Sequence, residues 1–268
     1  MLYRLSTTLL PGVVLLGCAT NSTAPAAGDS HSWGGKVQVH GALRAMLHEG
    51  QTGAMVALDT ILPNQDLYGL GALAGLAGEI TVVGGKAYLS YPEGADAMRT
   101  ETTFRTNAAA TLLVTAEVPA WRDFVLGRPI LFEELDEEIG KIAAAAGMSL
   151  DVRFPFLLEG VFEDLRWHVI DGSRLSAGGT SHQDHLAAAA SASTQRATAT
   201  LVGFYSKSDQ GIFTHMGSRT HIHCVVDEPL STGHLDHVTV PVGTTIKFPA
   251  SGDERPNQEM QRNGSAVR

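Results

Sequence analysis

Thr220-His221-Ile222-His223-Cys224-Val225-Val226 is the stretch on which the reading of the fold turns. It is short, apolar and rich in β-branched residues, the marks of a strand. Successive side chains on a strand alternate between faces, so His221 and His223 project together while Ile222 and Cys224 point the other way. His234 follows eleven positions after His223, beyond a polar stretch that ends in Ser231-Thr232-Gly233. A chain reversal in that stretch sets His234, at the start of the next strand, opposite the pair. Three neutral imidazoles hold a divalent ion and leave coordination positions open, which is the pattern of a catalytic site rather than a structural one. Zinc is the first expectation, and iron, nickel or copper accept the same donors. Cys224 has the wrong parity for a fourth ligand and reads as a small core residue.

Strand-like runs surround this segment at 153–170, 198–205, 211–216, 235–241 and 244–248. Upstream, Gly78 to Tyr91 alternates with period two around Gly84-Gly85, which predicts a hairpin with a primed turn and Glu79 at its mouth. Leu135, Ile139 and Ile142 share one face between Phe132 and Ala146, with Gly147 as the stop, and predict the main helix. A short helix is expected at 40–49, and Ser173 to Ala197 reads as a mobile loop or a poorly patterned helix. The sum is an α/β (α+β) protein with few helices and mixed and antiparallel sheets.

At 268 residues and 44% hydrophobic content the chain can bury a sizeable core. A net charge of −9 without any Lys/Arg run excludes a nucleic-acid surface, which needs clustered positive charge. Arg4, the apolar run Leu9 to Leu16 and the string Leu15-Leu16-Gly17-Cys18 look like a bacterial lipoprotein signal, with an ordinary signal peptide as the alternative. The expected organisation is a signal and lipidation site over 1–18, a tether over 19–36, a globular domain over 37–250 and a polar tail over 251–268. That places the protein in the bacterial cell envelope, on its periplasmic or extracellular face, touching the membrane only through lipid on Cys18. With Cys18 acylated, Cys224 has no partner for an intramolecular disulfide.

Other histidines offer weaker signals. His182-Gln183-Asp184-His185 lies in the poorly patterned segment and reads as an exposed loop, with metal binding as the alternative. His168 follows a strand pattern and is either hydrogen-bonded in the core or at the site. His215 is a candidate for supporting the metal ligands, and His237 reads as strand surface.

Three ordered blocks carry a resemblance. Asp66-Leu67-Tyr68-Gly69-Leu70-Gly71 with Leu76-Ala77-Gly78-Glu79-Ile80 and Gly84-Gly85-Lys86-Ala87-Tyr88 resembles a block of the bacterial α-acetolactate decarboxylases. The three-histidine stretch resembles that family's zinc motif. Pro155-Phe156 to Glu159-Gly160-Val161-Phe162 resembles the strand leading to its catalytic arginine, and Val202 to Ser206 with Ile212-Phe213 fits its next strands. The resemblance implies two interlocked lobes with zinc on His221, His223 and His234 between them. It gives Glu79 the role of the active-site glutamate, and it places His168 where the family has its arginine. A further family glutamate near the C-terminus has Glu254 and Glu259 as candidates.

The implied reaction is decarboxylation of acetolactate to acetoin. A metal polarises the hydroxyl and ketone oxygens, the electrons left by carbon dioxide collect as an enediolate, and a carboxyl group returns a proton. Glu79 is the expected proton carrier, and His168 the group that polarises or orients substrate. Histidine cannot grip a carboxylate with the two parallel donors of arginine, so a metal-dependent enzyme acting on another α-hydroxy ketone or keto acid stays in play. So does a lipid-anchored metal- or ligand-binding protein without turnover. The expected partner is a small hydroxy-keto acid, and a homodimer is admitted.

Overall fold

Alternating apolar and polar residues between Val37 and Glu117 build one antiparallel sheet, and the segment from Trp121 to Pro249 builds a second. The computed structural model describes residues 33–61, 64–103, 107–175 and 181–250, apart from the side chain of His182. Cys18, most of the expected tether, Glu254 and Glu259 lie outside the described residues.

The first sheet contains β1 (Val37–His40), β2 (Val56–Ala57), β3 (Leu67–Leu73), β4 (Glu79–Val83), β5 (Lys86–Pro92), β6 (Met98–Glu101) and β7 (Ala109–Glu117). Its order is β1-β7-β3-β4-β5-β6, with β2 also on β7. The second contains β8 (Trp121–Val125), β9 (Phe154–Val169), β10 (Ala190–Tyr205), β11 (Thr220–Val226), β12 (Ser231–Thr239) and β13 (Thr245–Pro249), in the order β10-β11-β12-β9-β13-β8. β10 pairs with β9 as well, so the second sheet bends back on itself. All pairings between these strands are antiparallel.

The expected hairpin is β4–β5. Val83 pairs with Lys86, and Gly84 and Gly85 take φ of 54° and 76°, the left-handed pair that a two-residue primed turn requires. The main helix is α2 (Leu135–Ala145), led in by a 3-10 turn over Phe132–Glu134. Its first turn carries Asp136, Glu137 and Glu138, which suit the positive end of the helix dipole, and it buries Leu135, Ile139 and Ala143. The short N-terminal helix is α1 (Leu43–His48), held by buried Leu43, Met46 and Leu47.

Phe154, Phe156, Phe162, Phe204, Phe213 and Phe248 are almost wholly buried and form the heart of the main core. Each such side chain contributes roughly 1.5–3 kcal/mol on burial. β4 of the first sheet packs on β11 and β12 of the second. This contact brings Glu79 to the histidines.

Two segments differ from expectation. Ser173 to Ala197 is not a loop or weak helix throughout. It holds α3 (His182–Ala188), and from Ala190 onward it is strand, with Ala190 to Ala197 paired to Val169 to Phe162. These small polar residues lie mostly on an exposed part of the β9–β10 ribbon. They show no apolar alternation there, and backbone pairing with β9 decides their state. The run at 211–216 is turn rather than strand: the Asp209 carbonyl accepts the N–H groups of Ile212, Phe213 and Thr214, and Gly211 takes a φ of 77°. Ile212-Phe213 therefore does not supply the strand that the family resemblance implied.

Candidate metal centre and active site

Strand parity and register assemble the site. On β11, His221 and His223 face the same way, and Cys224 packs into the core behind them. Burial pushes the Cys224 thiol up, so it stays protonated and inert. His223 pairs directly with His234 of β12, and His234 pairs with His168 of β9. Three adjacent strands thus carry a row of imidazoles, with His221 two positions along. Gly233 permits the close approach of β12 to β9, because a Cβ there would sit 2.3 Å from the His168 carbonyl oxygen.

His221, His223 and His234 each place one ring nitrogen within 4.8 Å of the others. His221 Nε2 and His234 Nδ1 are 3.0 Å apart. With metal–nitrogen bonds of about 2.0 Å, a tetrahedral edge is about 3.3 Å, so the cluster has the right scale. His221 Nδ1–H donates to the Phe213 carbonyl at 2.7 Å, which leaves Nε2 as the lone pair facing the cluster. His223 Nε2 is buried without a hydrogen-bond partner. An orphaned buried nitrogen inside a set of three imidazoles is the donor arrangement a divalent ion requires, so the residues present fit such a group.

Burial holds His221 down to about 3, aided by His215 and opposed by the Phe213 carbonyl. His223 and His234 are held well below the ordinary 6.5, by burial first and by neighbouring imidazoles second, with the Ile80 backbone opposing the shift at His223. All three are neutral at pH 7, the form that binds metal.

Glu79, the first residue of β4, stands at the open end of the β4–β5 hairpin as expected and is only 5% exposed. Its Oε2 lies 3.7 Å from His223 Nε2, and its Oε1 accepts the Ile170 N–H at 3.3 Å. Burial pushes this carboxyl well above its ordinary 4.5; the Ile170 bond opposes the shift, and Asp236 adds to it. His168 stacks at a tilt 4.9 Å from the His234 ring, and its Nδ1 meets Asp236 Oδ1 at 2.7 Å. Asp236 was not among the sequence candidates, although it stands two positions after His234.

Glu79, His168, His221 and His234 share a cavity of about 40 Å³ with Leu47 and Ile170. A second cavity, of about 350 Å³, reaches His221 and His234 from the side of Phe132, Leu135 and Leu235, and His215 lines both. No Arg or Lys is among the described residues lining either one. Gln183 and Asp184 are exposed as expected, but the segment is helical rather than loop, and His185 lines the small cavity and is only 5% exposed. The reason is a capping box: Ser181 Oγ accepts the Asp184 N–H, and the Asp184 carboxylate accepts the Ser181 N–H, which starts α3 and turns His185 inward. His237 is half-buried against Phe132 and away from the trio. Asp136 of α2 braces the approach to β11 by accepting from Ser218 Oγ at 2.9 Å, from the Arg219 N–H at 2.6 Å and from Thr220 Oγ1.

Comparison with known proteins bears on the family and the fold. The alpha-acetolactate decarboxylase family profile matches residues 40–251. The alpha-acetolactate decarboxylase of Bacillus subtilis strain 168 superposes with a TM-score of 0.62 at 15% identity, covering 80% of this chain and 86% of that one. The enzyme of Bacillus subtilis subspecies spizizenii gives 0.63 at 16% identity, with 80% and 85% covered. A Staphylococcus aureus protein of unknown function similar to alpha-acetolactate decarboxylase gives 0.61 at 15% identity, with 79% and 84% covered. No curated protein sequence matches the chain.

Proposed function

The chain belongs to the alpha-acetolactate decarboxylase family, and from that premise we propose that it is a metal-dependent carbon–carbon lyase that converts acetolactate to acetoin and carbon dioxide. The observation that carries this reading is the trio of buried His221 and His223 with half-buried His234, and the Glu79 carboxyl 3.7 Å from His223. Neutral imidazoles at this spacing suit zinc, and a divalent ion there would polarise the hydroxyl and ketone oxygens of the substrate.

The chain's own residues supply the rest. When the bond between the carboxylate and the hydroxyl-bearing carbon breaks, its electron pair moves toward the ketone and leaves an enediolate. Glu79, whose burial favours the protonated form in the metal-free protein, is the carboxyl placed to donate the proton that forms the new C–H bond of acetoin. His168, oriented by Asp236, is the group placed to hold the departing carboxylate. Leu43, Leu47 and Ile170 give the inner cavity an apolar wall beside Glu79. Glu79 and His168 line the inner cavity of about 40 Å³, and the cavity of about 350 Å³, which has room for the rest of a five-carbon substrate, shares His215, His221 and His234 with it, so the reacting carbons would sit where the two meet.

The absence of Arg and Lys from the described cavity linings favours a second reading, enolisation or isomerisation of an uncharged α-hydroxy ketone. One assay separates the two. Purified protein supplied with zinc should release one acetoin and one carbon dioxide per acetolactate consumed; zinc-loaded protein that leaves acetolactate intact would overturn the decarboxylase reading. The envelope location rests on Arg4, Leu9 to Leu16 and Cys18, and it predicts lipid incorporation that Cys18→Ala abolishes.

A further inference from the structure

Three hydroxyl and carbonyl groups behind His223 form a chain whose direction can be worked out. Thr81 Oγ1 lies 3.1 Å from His223 Nδ1, Thr232 Oγ1 lies 2.8 Å from Thr81 Oγ1, and Thr232 Oγ1 lies 2.6 Å from the Cys224 carbonyl oxygen. Both threonines are fully buried, at 0% exposure, so water does not complete the set. A carbonyl can only accept. Two oxygens 2.6 Å apart need a proton between them, and the only one available there is the Thr232 hydroxyl proton. Thr232 Oγ1 is also the better-aligned donor in its 2.8 Å contact with Thr81, but it has a single proton and the shorter contact, to a carbonyl that can only accept, takes it; the Thr81 hydroxyl proton then lies in the Thr81–Thr232 contact. Thr81 Oγ1 therefore meets His223 as an acceptor, and His223 Nδ1 carries the hydrogen. The bare lone pair is left on Nε2, the atom that faces Glu79 and has no partner.

We infer that Thr81 and Thr232 are positioning residues: their hydroxyl relay, anchored on the Cys224 carbonyl, locks His223 in the tautomer that presents Nε2 to a metal. The inference rests on the reading that the trio holds a metal. It gives the contact between the sheets a purpose beyond burial. Thr81 is on β4 and Thr232 on β12, so a ligand of the second sheet is oriented correctly only when the first sheet is docked. Glu79 and Thr81, two positions apart on β4, address the two nitrogens of the same ring. Neutral hydroxyls, together with the Ile80 backbone carbonyl beside the same ring, thus favour hydrogen on Nδ1, a task that a carboxylate often performs at metal-binding histidines.

Two measurements test it. In zinc-stripped protein at neutral pH, the ring nitrogen chemical shifts of His223 should show hydrogen on Nδ1; hydrogen on Nε2 would overturn the inference. Zinc affinity, read by competition with a chromogenic chelator, should fall roughly 10–100-fold in Thr81→Val. Thr232→Val should shift affinity in the same direction, because it frees the Thr81 proton to turn toward Nδ1. Thr81→Ser keeps the hydroxyl and should restore wild-type affinity, which separates the relay from a packing effect. A Thr81→Val protein that binds zinc as tightly as wild type overturns the inference alone. A wild-type protein that takes no zinc overturns the metal reading beneath it.

Discussion

Replacing Glu79 with glutamine should slow catalysis and stabilise the metal-stripped fold, and the two effects have separate physical origins. The amide would keep the size of the side chain and an oxygen for the Ile170 N–H, now 3.3 Å from Oε1, but it carries no transferable proton. General acid catalysis contributes about 10²–10⁴-fold, or about 3–5 kcal/mol of barrier, so turnover of acetolactate should fall by that factor. The stability effect follows from the raised carboxyl pKa. At pH values below 4.5 the folded and unfolded forms both hold the proton, and the substitution is neutral on this account. Above 4.5 the unfolded carboxyl ionises while the folded one does not, so stability is lost as pH rises toward the folded pKa. The loss is about 1.4 kcal/mol for each pH unit in that window. Glutamine removes it. Urea denaturation of zinc-stripped protein at a series of pH values should therefore show the variant gaining on wild type from about pH 4.5 upward. A variant no more stable than wild type at pH 7, or one that turns over at more than about a tenth of the wild-type rate, would refute the assignment.

The trio produces the opposite pH dependence. His221 is held down to about 3, and His223 and His234 well below 6.5, so the unfolded chain binds up to three protons that the folded one refuses. Stability of the stripped protein should fall as pH drops below 6.5, by up to about 4 kcal/mol per unit from the histidines alone, and urea midpoints should track it. Gly233→Ala drives a methyl into the His168 carbonyl oxygen at 2.3 Å. It should cost about 3 kcal/mol and weaken zinc binding together, measured by thermal melting and metal titration. Asp136→Ala removes the carboxylate that braces Ser218, Arg219 and Thr220, and should cost about 2 kcal/mol in urea denaturation.

Local chemistry made the strands and the trio readable. Parity on Thr220 to Val226 put His221 and His223 on one face and Cys224 on the other, and Gly84-Gly85 marked its hairpin because glycine takes the positive φ of a primed two-residue turn without steric cost. The supporting contacts left no such trace. Thr81 and His223 are 142 positions apart, and Thr81 and Thr232 are 151 apart, so no periodicity links them. Asp236 shares a strand with His234, but a register shift between Leu235 and His237 breaks the simple alternation that would have drawn attention to it. At Ala190 to Ala197 the side chains carry almost no burial signal, and the strand exists because β9 offers a ladder. His185 was readable in principle, since Ser181 and Asp184 at a spacing of three form a helix-start signal.

Zinc stoichiometry of the purified protein, measured beside that of His223→Ala, bears most directly on the whole account. One zinc per chain in the wild type and close to none in the variant is the expected result. Equal zinc in the two samples would mean that the imidazoles of β11 and β12 hold no ion, and the chemistry assigned to Glu79 and His168 would lose its foundation.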